Sequence, residues 1–182
     1  MTEFKSNMHP VVVVGAGHAG IEAALAADRV GAPVTLVTLS LGTIGRMPCN
    51  PAIGGQGKGH LVREIDALDG AMARMTDATT IQFKYLNTRK GLAVRSSRAQ
   101  VDRHLYQSLM RALFVEHPRI KLVQAEAEGI VSKAGKVVGL RLKTGEVLPA
   151  SAVVLTVGTY LRGSIHTGML RRSGGGGGTQ SA

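Results

Sequence analysis

The sequence is poor in cysteine, in aromatic residues and in acids. One cysteine in 182 residues excludes an internal disulfide and fits a reducing compartment. Aromatic side chains make up 3% of the chain and tryptophan is absent, so base stacking on an aromatic platform has little support. No apolar run approaches the length of a membrane span, and the N-terminus lacks a secretory signal pattern. We therefore expect a cytoplasmic protein without membrane association.

The shortage of acids gives a formal net charge of +10, from 22 Lys and Arg against 12 Asp and Glu. The excess concentrates in residues 84–121, where only Asp102 and Glu116 oppose it and the net charge is +7. Such a field attracts polyanions such as nucleic acid, although a solvated basic face is the simpler interpretation. The nine basic residues of this window are Lys84, Arg89, Lys90, Arg95, Arg98, Arg103, Arg111, Arg119 and Lys121.

Glycine, by contrast, is abundant, and its first cluster stands between two predicted elements. Val11–Val14 is a continuous β-branched run, which predicts a strand buried in a parallel sheet. An alanine-rich helix is predicted over Ile21–Val30 and a second strand over Val34–Leu39. The run Gly15–Gly20 joins the first strand to the helix in the pattern G-x-G-x-x-G, which in this setting favours a dinucleotide-binding turn over a turn without a ligand.

The residues of this turn have separate expected roles. Gly15 permits the tight turn, Gly17 lets the backbone approach a pyrophosphate, and Gly20 lets the helix pack closely on the strand. The helix N-terminus offers N–H groups and a positive dipole to the phosphates. The predicted cofactor-binding residues here are Gly15, Ala16, Gly17, His18, Ala19 and Gly20.

The end of the second strand lacks the acid that usually holds a ribose hydroxyl. That stretch reads Val37-Thr38-Leu39-Ser40. Either the hydroxyl of Thr38 or Ser40 replaces the acid, or the ribose is held elsewhere.

The remaining pattern predicts one domain over residues 10–168, after a leader at 1–9 and before a glycine-rich disordered tail at 169–182. Residues 40–59 form an irregular loop, too long for a mere connector. Helices are predicted over His60–Met75 and Arg98–Glu116. Strands are predicted over Ile81–Leu86, near 121–127, 129–133, 137–143 and 146–149, and over Ala152–Val157.

Cys49 lies in the irregular loop, between Pro48 and Asn50 and just before a glycine-rich run. The sequence GQGKG departs from a nucleotidase phosphate loop because Gly59 stands where Ser or Thr is required. Lys58 and the nearby helix N-terminus would lower the pKa of the thiol if they lie close to it, which would make Cys49 a nucleophile. From residue chemistry alone, a structural cysteine is equally compatible. No Cys and His cluster has metal-ligand spacing, so no metal is expected.

A third candidate lies at the end of the last predicted strand. The buried run Val153–Val157 continues into Gly158 and Thr159. A strand that ends in this way is similar to the second cofactor-proximal strand of flavoproteins with two dinucleotide-binding segments. Thr156 and Gly158 are therefore predicted to contact a cofactor, and an ordinary strand end is the alternative.

Together these segments closely resemble the MnmG (GidA) family of tRNA uridine 5-carboxymethylaminomethyl modification enzymes. Four stretches carry the resemblance: 11–27, 49–68, 81–106 and 152–168. The runs Cys-Asn-Pro-Ala-Ile-Gly-Gly and Arg-Ala-Gln-x-Asp-Arg are far more specific than a dinucleotide turn. The resemblance covers roughly residues 10–168.

The resemblance implies an α/β fold: a Rossmann-like, glutathione-reductase-like FAD-binding domain with a small β-meander. FAD would place its pyrophosphate on the Gly15–Gly20 turn, and the strand near Ala127 would contact its adenine side. The family pairs with the GTPase MnmE to modify the wobble uridine of tRNA, uses NADH, and forms homodimers. Its proposed nucleophilic cysteine falls on Cys49, and the basic window 84–121 becomes a candidate tRNA-facing surface.

Family members are much longer, so the fold is expected to be C-terminally truncated relative to the family, and this chain alone is expected to be inactive. They continue after residue 168 into the rest of the FAD site, a nicotinamide-binding insertion and a helical domain. Two alternatives stay open on the residues themselves. One is a generic flavin or nicotinamide oxidoreductase for a small molecule, and the other is a non-catalytic nucleotide-binding or RNA-binding remnant.

Overall fold

The computed structural model describes residues 10–48, 50–161 and 163–174. The chain forms two compact units. The first unit combines the segment up to Ile44 with the segment from His117 onward, and the second unit is Gly45–Glu116. The sequence predicted a single domain over residues 10–168, and no pattern in it indicated that the chain forms two compact units. The leader predicted at residues 1–9 lies outside the described residues.

Besides two short 3-10 helices, at Leu41–Thr43 and Leu92–Val94, the described elements are twelve strands and four α-helices. The helices are α1 (His18–Arg29), α2 (Lys58–Ala67), α3 (Ala71–Thr79) and α4 (Arg103–Glu116). The strands are β1 (Val11–Val14), β2 (Val34–Thr38), β3 (Ala52–Gly54), β4 (Thr80–Leu86), β5 (Ser96–Val101), β6 (Ile120–Gln124), β7 (Ala127–Lys133), β8 (Lys136–Leu142), β9 (Val147–Pro149), β10 (Ala152–Leu155), β11 (Ser164–Thr167) and β12 (Leu170–Ser173).

The core of the first unit is a four-stranded parallel sheet in the order β10-β1-β2-β6. The strands β1 and β2 occupy its centre, so their β-branched runs are covered on both faces. One face packs on the antiparallel meander β7-β8-β9, where Val12 and Val14 meet Leu140 and Leu142. Val13 points to the opposite face and is fully buried there.

Helix α1 packs beside β1 and β2. Its apolar residues Ile21, Ala24 and Leu25 are buried, and no polar side chain caps its N-terminus. The helix ends as the sequence predicted, with Gly31 in the left-handed region at φ 89°. A parallel sheet with a helix and a meander confirms the Rossmann-like α/β fold.

The second unit holds an antiparallel sheet in the order β3-β5-β4 together with α2, α3 and α4. The central strand β5 carries the buried residues Ala99 and Val101, and β3 adds Ile53. The strand predicted over Ile81–Leu86 is confirmed as β4. The loop predicted over residues 40–59 is only partly irregular, because it contains β3 and the first two residues of α2.

Both predicted helices of the second unit need correction. The helix predicted over His60–Met75 is interrupted after Ala67, because Asp69 adopts the left-handed region at φ 65° and α3 starts after Gly70. Residues 98–101 of the helix predicted over Arg98–Glu116 belong instead to β5. Helix α4 begins after Asp102, whose carboxylate accepts hydrogen bonds from the backbone N–H groups of His104 and Leu105, both at 2.9 Å.

The C-terminal segment also differs from expectation. Leu170–Ser173, predicted as part of the disordered tail, forms β12 and pairs antiparallel with β11. Residues 175–182 lie outside the described residues. No helix in the described ranges has the length and apolar character needed to cross a membrane.

A buried carboxylate ties the end of α1 to the start of β6. Asp28 is 3% exposed and accepts hydrogen bonds from Arg119 Nε and His117 Nδ1, both at 2.7 Å. The Arg119 guanidinium also donates to the Asp28 carbonyl oxygen at 2.9 Å. The Arg119 hydrogen bond, opposed by burial and assisted by His117, holds the pKa of the Asp28 carboxyl below its usual value.

We expect Asp28→Asn to lower the free energy of unfolding by about 1–2 kcal/mol at pH 7, since hydrogen bonds to charged groups are worth about 1.5–3 kcal/mol and Arg119 is partly screened by solvent. Because the pKa of this carboxyl is lower in the folded state, its charge stabilises the protein at pH values above the unfolded-state pKa of about 3.9. This stabilisation is lost as the pH falls through the folded-state pKa. The difference between variant and wild type is therefore expected to shrink towards pH 3. Urea unfolding at both pH values measures it.

Glu126→Gln is the matched control, because the Glu126–Lys143 ion pair at 2.8 Å lies on the surface. Its expected cost is below about 0.5 kcal/mol. If Asp28→Asn lowers the free energy of unfolding by the same amount at pH 3 as at pH 7, the carboxylate charge is not what stabilises the contact between α1 and the start of β6.

Candidate functional site

The glycine turn lies where the central strands of the parallel sheet end. The backbone N–H of Gly15 donates to the carbonyl of Val37 in β2 at 2.8 Å, and the N–H of Thr156 donates to the carbonyl of Val14 at 2.8 Å. The carboxyl ends of β1, β2 and β10 are thus held together at one edge of the sheet. In open α/β sheets this edge is where ligands bind.

Thr156, the residue directly after β10, holds the turn through its hydroxyl. Its hydroxyl oxygen lies 2.8 Å from the Val14 carbonyl and 3.1 Å from the Gly15 carbonyl. Gly15 has a φ of 102°, and a Cβ at this position would lie 2.5 Å from the Thr156 carbonyl oxygen. Gly15 is therefore required both by its backbone conformation and by the close approach of the Thr156 backbone. The sequence predicted Thr156 at the end of a cofactor-proximal strand, but it did not predict the contacts of its hydroxyl with the Val14 and Gly15 carbonyls.

Gly20 is required for a different reason, the contact between α1 and the turn. A Cβ on Gly20 would overlap the Gly15 carbonyl oxygen and lie 2.7 Å from the Thr156 hydroxyl. The helix can approach the turn this closely only because position 20 has no side chain. This is the packing role that the sequence pattern assigns to the third glycine.

Gly17 has no such packing constraint. A Cβ there would meet no atom within 4 Å, and its extended backbone at φ −77° and ψ −173° suits most residues. Helix α1 starts one residue later, at His18, so His18 and Ala19 belong to its first turn and not to the turn before it. The open space at Gly17 therefore adjoins a helix N-terminus that no side chain caps.

The end of β2 offers one free hydroxyl. Thr38 is buried, and its hydroxyl donates to the Ser40 carbonyl at 3.4 Å. The Ser40 hydroxyl forms no hydrogen bond within the described ranges, and no side chain caps the turn that it precedes. Of the two hydroxyls that the sequence offered as substitutes for the missing acid, Ser40 is the one available to a ligand.

The remaining predicted cofactor residues occupy the same unit. Ala127 is the first residue of β7 and is half-buried. The chain just before it follows the end of β2, since the Ala125 N–H donates to the Thr38 carbonyl at 2.9 Å. Gly158 lies beyond β10, exposed, with a positive φ of 59° and open space at its Cβ position. Ala16 is buried beside Gly15 in the turn.

Cys49 itself lies outside the described residues, and the chain that follows it belongs to the second unit. The glycine-rich run is tied to β5 there: the Gly55 N–H donates to the Ser97 carbonyl at 2.8 Å, and the Ser96 hydroxyl donates to the Gly55 carbonyl at 2.5 Å. A Cβ on Gly59 would overlap the Ser96 hydroxyl. The absence of a side chain at Gly59 thus lets α2 begin directly against β5. The sequence did not reveal that Ser96 holds the glycine-rich run.

Lys58 begins α2 and is held close to β3. Its ammonium donates to the Ala52 carbonyl at 3.3 Å, and burial lowers the pKa of its side chain. A cation at a helix N-terminus adds to the positive end of the helix dipole, and both attract an anion. Among the described residues, no three His, Cys, Asp or Glu side chains are arranged to hold a metal ion.

Comparison with known proteins gives consistent results. The family model described as Glucose inhibited division protein A matches residues 10–182. The enzyme MnmG of Geobacter metallireducens is 53% identical over 167 residues, which are 92% of this chain and 27% of that protein. The MnmG of Endomicrobium trichonymphae is 48% identical over 165 residues, or 91% of this chain and 28% of that protein. Both are described as tRNA uridine 5-carboxymethylaminomethyl modification enzymes.

The fold agrees with these matches. GidA of Aquifex aeolicus superposes with a TM-score of 0.89 at 48% identity, over 96% of this chain and 29% of that structure. The chain therefore spans between a quarter and a third of the length of the relatives that it matches. The family match extends beyond residue 168, where the sequence resemblance stopped. A family model that matches residues 10–182, with relatives near 50% identity, shows that this chain belongs to the glucose inhibited division protein A (GidA) family.

Proposed function

We propose that this chain is the FAD-binding portion of a tRNA-modifying flavoprotein. The observation that carries the proposal is the turn Gly15–Gly20 at the carboxyl edge of the parallel sheet. Of its three glycines only Gly17 has open space at its Cβ position, and an uncapped helix N-terminus follows it. The full-length protein would add a carboxymethylaminomethyl-type group to C5 of the wobble uridine. Relatives near 50% identity that bear this activity in their names support the assignment.

The residues of the first unit fit the ADP half of FAD. A pyrophosphate would lie over Gly17, where backbone and helix dipole attract negative charge without a side chain in the way. Ser40 offers a hydroxyl for the adjacent ribose, and the start of β7 at Ala127 would face the adenine. Thr156 fixes the turn, and Gly158 leaves backbone exposed beside it. Bound flavin would supply the redox chemistry of the reaction.

Cys49 is the proposed nucleophile of the full-length enzyme. A thiol acts as a nucleophile only as its thiolate, so its neighbourhood must lower its pKa. Lys58 and the N-terminus of α2 would both favour the thiolate if they face it. The cysteine is therefore the first residue to test for covalent catalysis.

The partners follow from the same proposal. The substrate would be tRNA, NADH would reduce the flavin, and the GTPase MnmE would act with the enzyme, which we propose to be a homodimer in its full length. NADH and MnmE would meet parts of the full-length protein that lie outside these 182 residues. The generic oxidoreductase and the non-catalytic remnant remain the competing assignments.

The test is titration of the purified chain with FAD, followed by flavin fluorescence. We expect saturable one-to-one quenching that ADP competes away, because the turn holds the ADP half of the cofactor. Cys49→Ser is expected to bind FAD equally well, because the thiol serves a later step. In the unsubstituted chain, Cys49 is the only thiol that iodoacetamide can alkylate, and we expect its reaction below the ordinary thiol pKa of about 8.5.

Two results would count against the proposal in separate ways. A chain that is folded by circular dichroism but shows no saturable quenching would remove the flavin assignment. An alkylation rate that rises only above pH 8.5 would remove the nucleophile assignment and leave the flavin assignment intact.

A further inference from the structure

One face of the sheet in the second unit is polar and lacks acids. In an antiparallel sheet, residues directly opposite each other share a face. The register places Lys84 of β4 opposite Arg98 of β5, and Gln82 opposite Gln100. On the other side of β5, these two rows continue into Gly54 and Ala52 of β3. The two cations and the two glutamine amides are thus neighbours on one face, and the adjoining positions on β3 carry almost no side chain.

The surrounding hairpin has no negative charge to neutralise these cations. From Thr80 to Val101 the chain contains no Asp or Glu. Lys84 is exposed and Arg98 is half-buried, and neither forms an ion pair within the described part of the chain. The five basic residues of this hairpin are Lys84, Arg89, Lys90, Arg95 and Arg98.

A cation directly opposite another cation is an unfavourable arrangement. Cβ atoms of directly opposed residues lie about 4.5–5.5 Å apart, and like charges in this position destabilise the sheet. The arrangement becomes favourable when an anion lies between the two head groups. Arg98 has the planar guanidinium that binds phosphate oxygens in pairs, and Lys84 adds a mobile point charge.

The amides beside the cations indicate the kind of anion. Gln82 and Gln100 each offer donors and an acceptor, which a simple inorganic anion does not need. A nucleic acid strand uses both kinds of group, because its phosphates position it and its base edges and sugars accept or donate hydrogen bonds.

We propose that this face, formed by Gln82, Lys84, Arg98 and Gln100, binds an RNA strand of the tRNA substrate. Lys84 and Arg98 contact phosphates, and the two glutamines contact base edges or ribose hydroxyls. The inference rests on the proposed function for its choice of tRNA, and it narrows the basic window 84–121 to one defined surface. The other basic residues of the window add a general attraction without a fixed geometry.

The experiment measures binding of an unmodified tRNA transcript, with uridine at the wobble position, to the 182-residue chain over a range of salt concentrations. The test variant is Lys84→Gln with Arg98→Gln. We expect its affinity to fall at least about tenfold at 150 mM salt, and the slope of log K against log salt to become shallower by about 1.5, the value for two lost phosphate contacts. FAD quenching is expected to be unchanged.

Lys133→Gln with Lys136→Gln is the matched control. These two lysines are also directly opposed across an antiparallel pair, β7 and β8, and both are exposed. The control removes the same charge but no predicted RNA contact, so its affinity and slope are expected to stay within about twofold of the wild type.

The outcomes separate this inference from the function on which it rests. If the unsubstituted chain does not bind tRNA, the tRNA-directed function loses its support in this segment, and the inference falls with it. If the wild type binds and the two double variants lose equal affinity, the face has no special role and the inference is overturned. If the test variant loses FAD binding but keeps tRNA binding, the face belongs to the flavin site and the inference is likewise overturned.

Discussion

Gly20→Ala is expected to destabilise the first unit by about 3 kcal/mol. An alanine in the middle of a helix normally adds about 1 kcal/mol of stability relative to glycine. Here the new methyl group would overlap the Gly15 carbonyl oxygen and crowd the Thr156 hydroxyl. A backbone carbonyl cannot rotate away as a flexible side chain can, so α1 must move off the turn. Overpacking of a rigid contact costs about 1–3 kcal/mol or more.

Thermal unfolding followed by circular dichroism measures the effect. For a chain of this size, each kcal/mol corresponds to about 2–4 °C, so we expect the midpoint to fall by roughly 6–12 °C. Ala26→Gly is the control on the same helix, at an exposed position, and its expected cost is the ordinary propensity difference of about 1 kcal/mol. A Gly20→Ala midpoint within about 2 °C of the wild type would mean that α1 and the turn are not packed as described.

The sequence predicted the first unit well because its signals are local. The run Val11–Val14, the glycines and the alanine-rich helix each specify their own conformation, and the G-x-G-x-x-G spacing links them. The start of α1 was missed by three residues, since Gly20 is a poor helix former in isolation. Its place in the helix is set by the tight contact with Gly15, which no pattern of single residues reports.

The second unit was predicted less well because long-range pairing decides its structure. Residues 98–101 continue the apolar spacing of the following helix, with Val101 four positions before Leu105, so the pattern favoured a helix. Pairing with both β3 and β4 makes them a central strand instead, which is a tertiary override of local preference. Asp102 was the available local signal, since an aspartate before a helical run is a typical N-cap.

The cofactor site shows the same division between local and non-local information. The three glycines were recognisable from spacing, and the structure adds that Gly15 and Gly20 serve packing while only Gly17 is open. The contact of the Thr156 hydroxyl with the Gly15 carbonyl joins residues that are 141 positions apart, so residue spacing could not predict it. Residue patterns therefore locate the turn, and packing separates the glycine that meets a ligand from the two that hold the fold.

Gly17→Val is expected to weaken FAD binding at least about 100-fold while leaving the fold intact. The extended backbone at Gly17 suits a β-branched residue, and the new side chain meets no protein atom within 4 Å of its Cβ. The space that it fills is the space proposed for the pyrophosphate. A phosphate kept from the backbone N–H groups loses both its hydrogen bonds and its closest approach to the helix dipole.

The measurement pairs FAD fluorescence titration with thermal unfolding of the same samples. Gly129→Val is the matched control, because Gly129 is exposed on β7 and also has open space at its Cβ position. We expect the control to bind FAD as the wild type does, and both variants to unfold within about 3 °C of it, since substitutions at open surface positions usually change stability by less than about 0.5 kcal/mol. Unchanged FAD affinity in a folded Gly17→Val chain would show that the pyrophosphate does not lie on this turn.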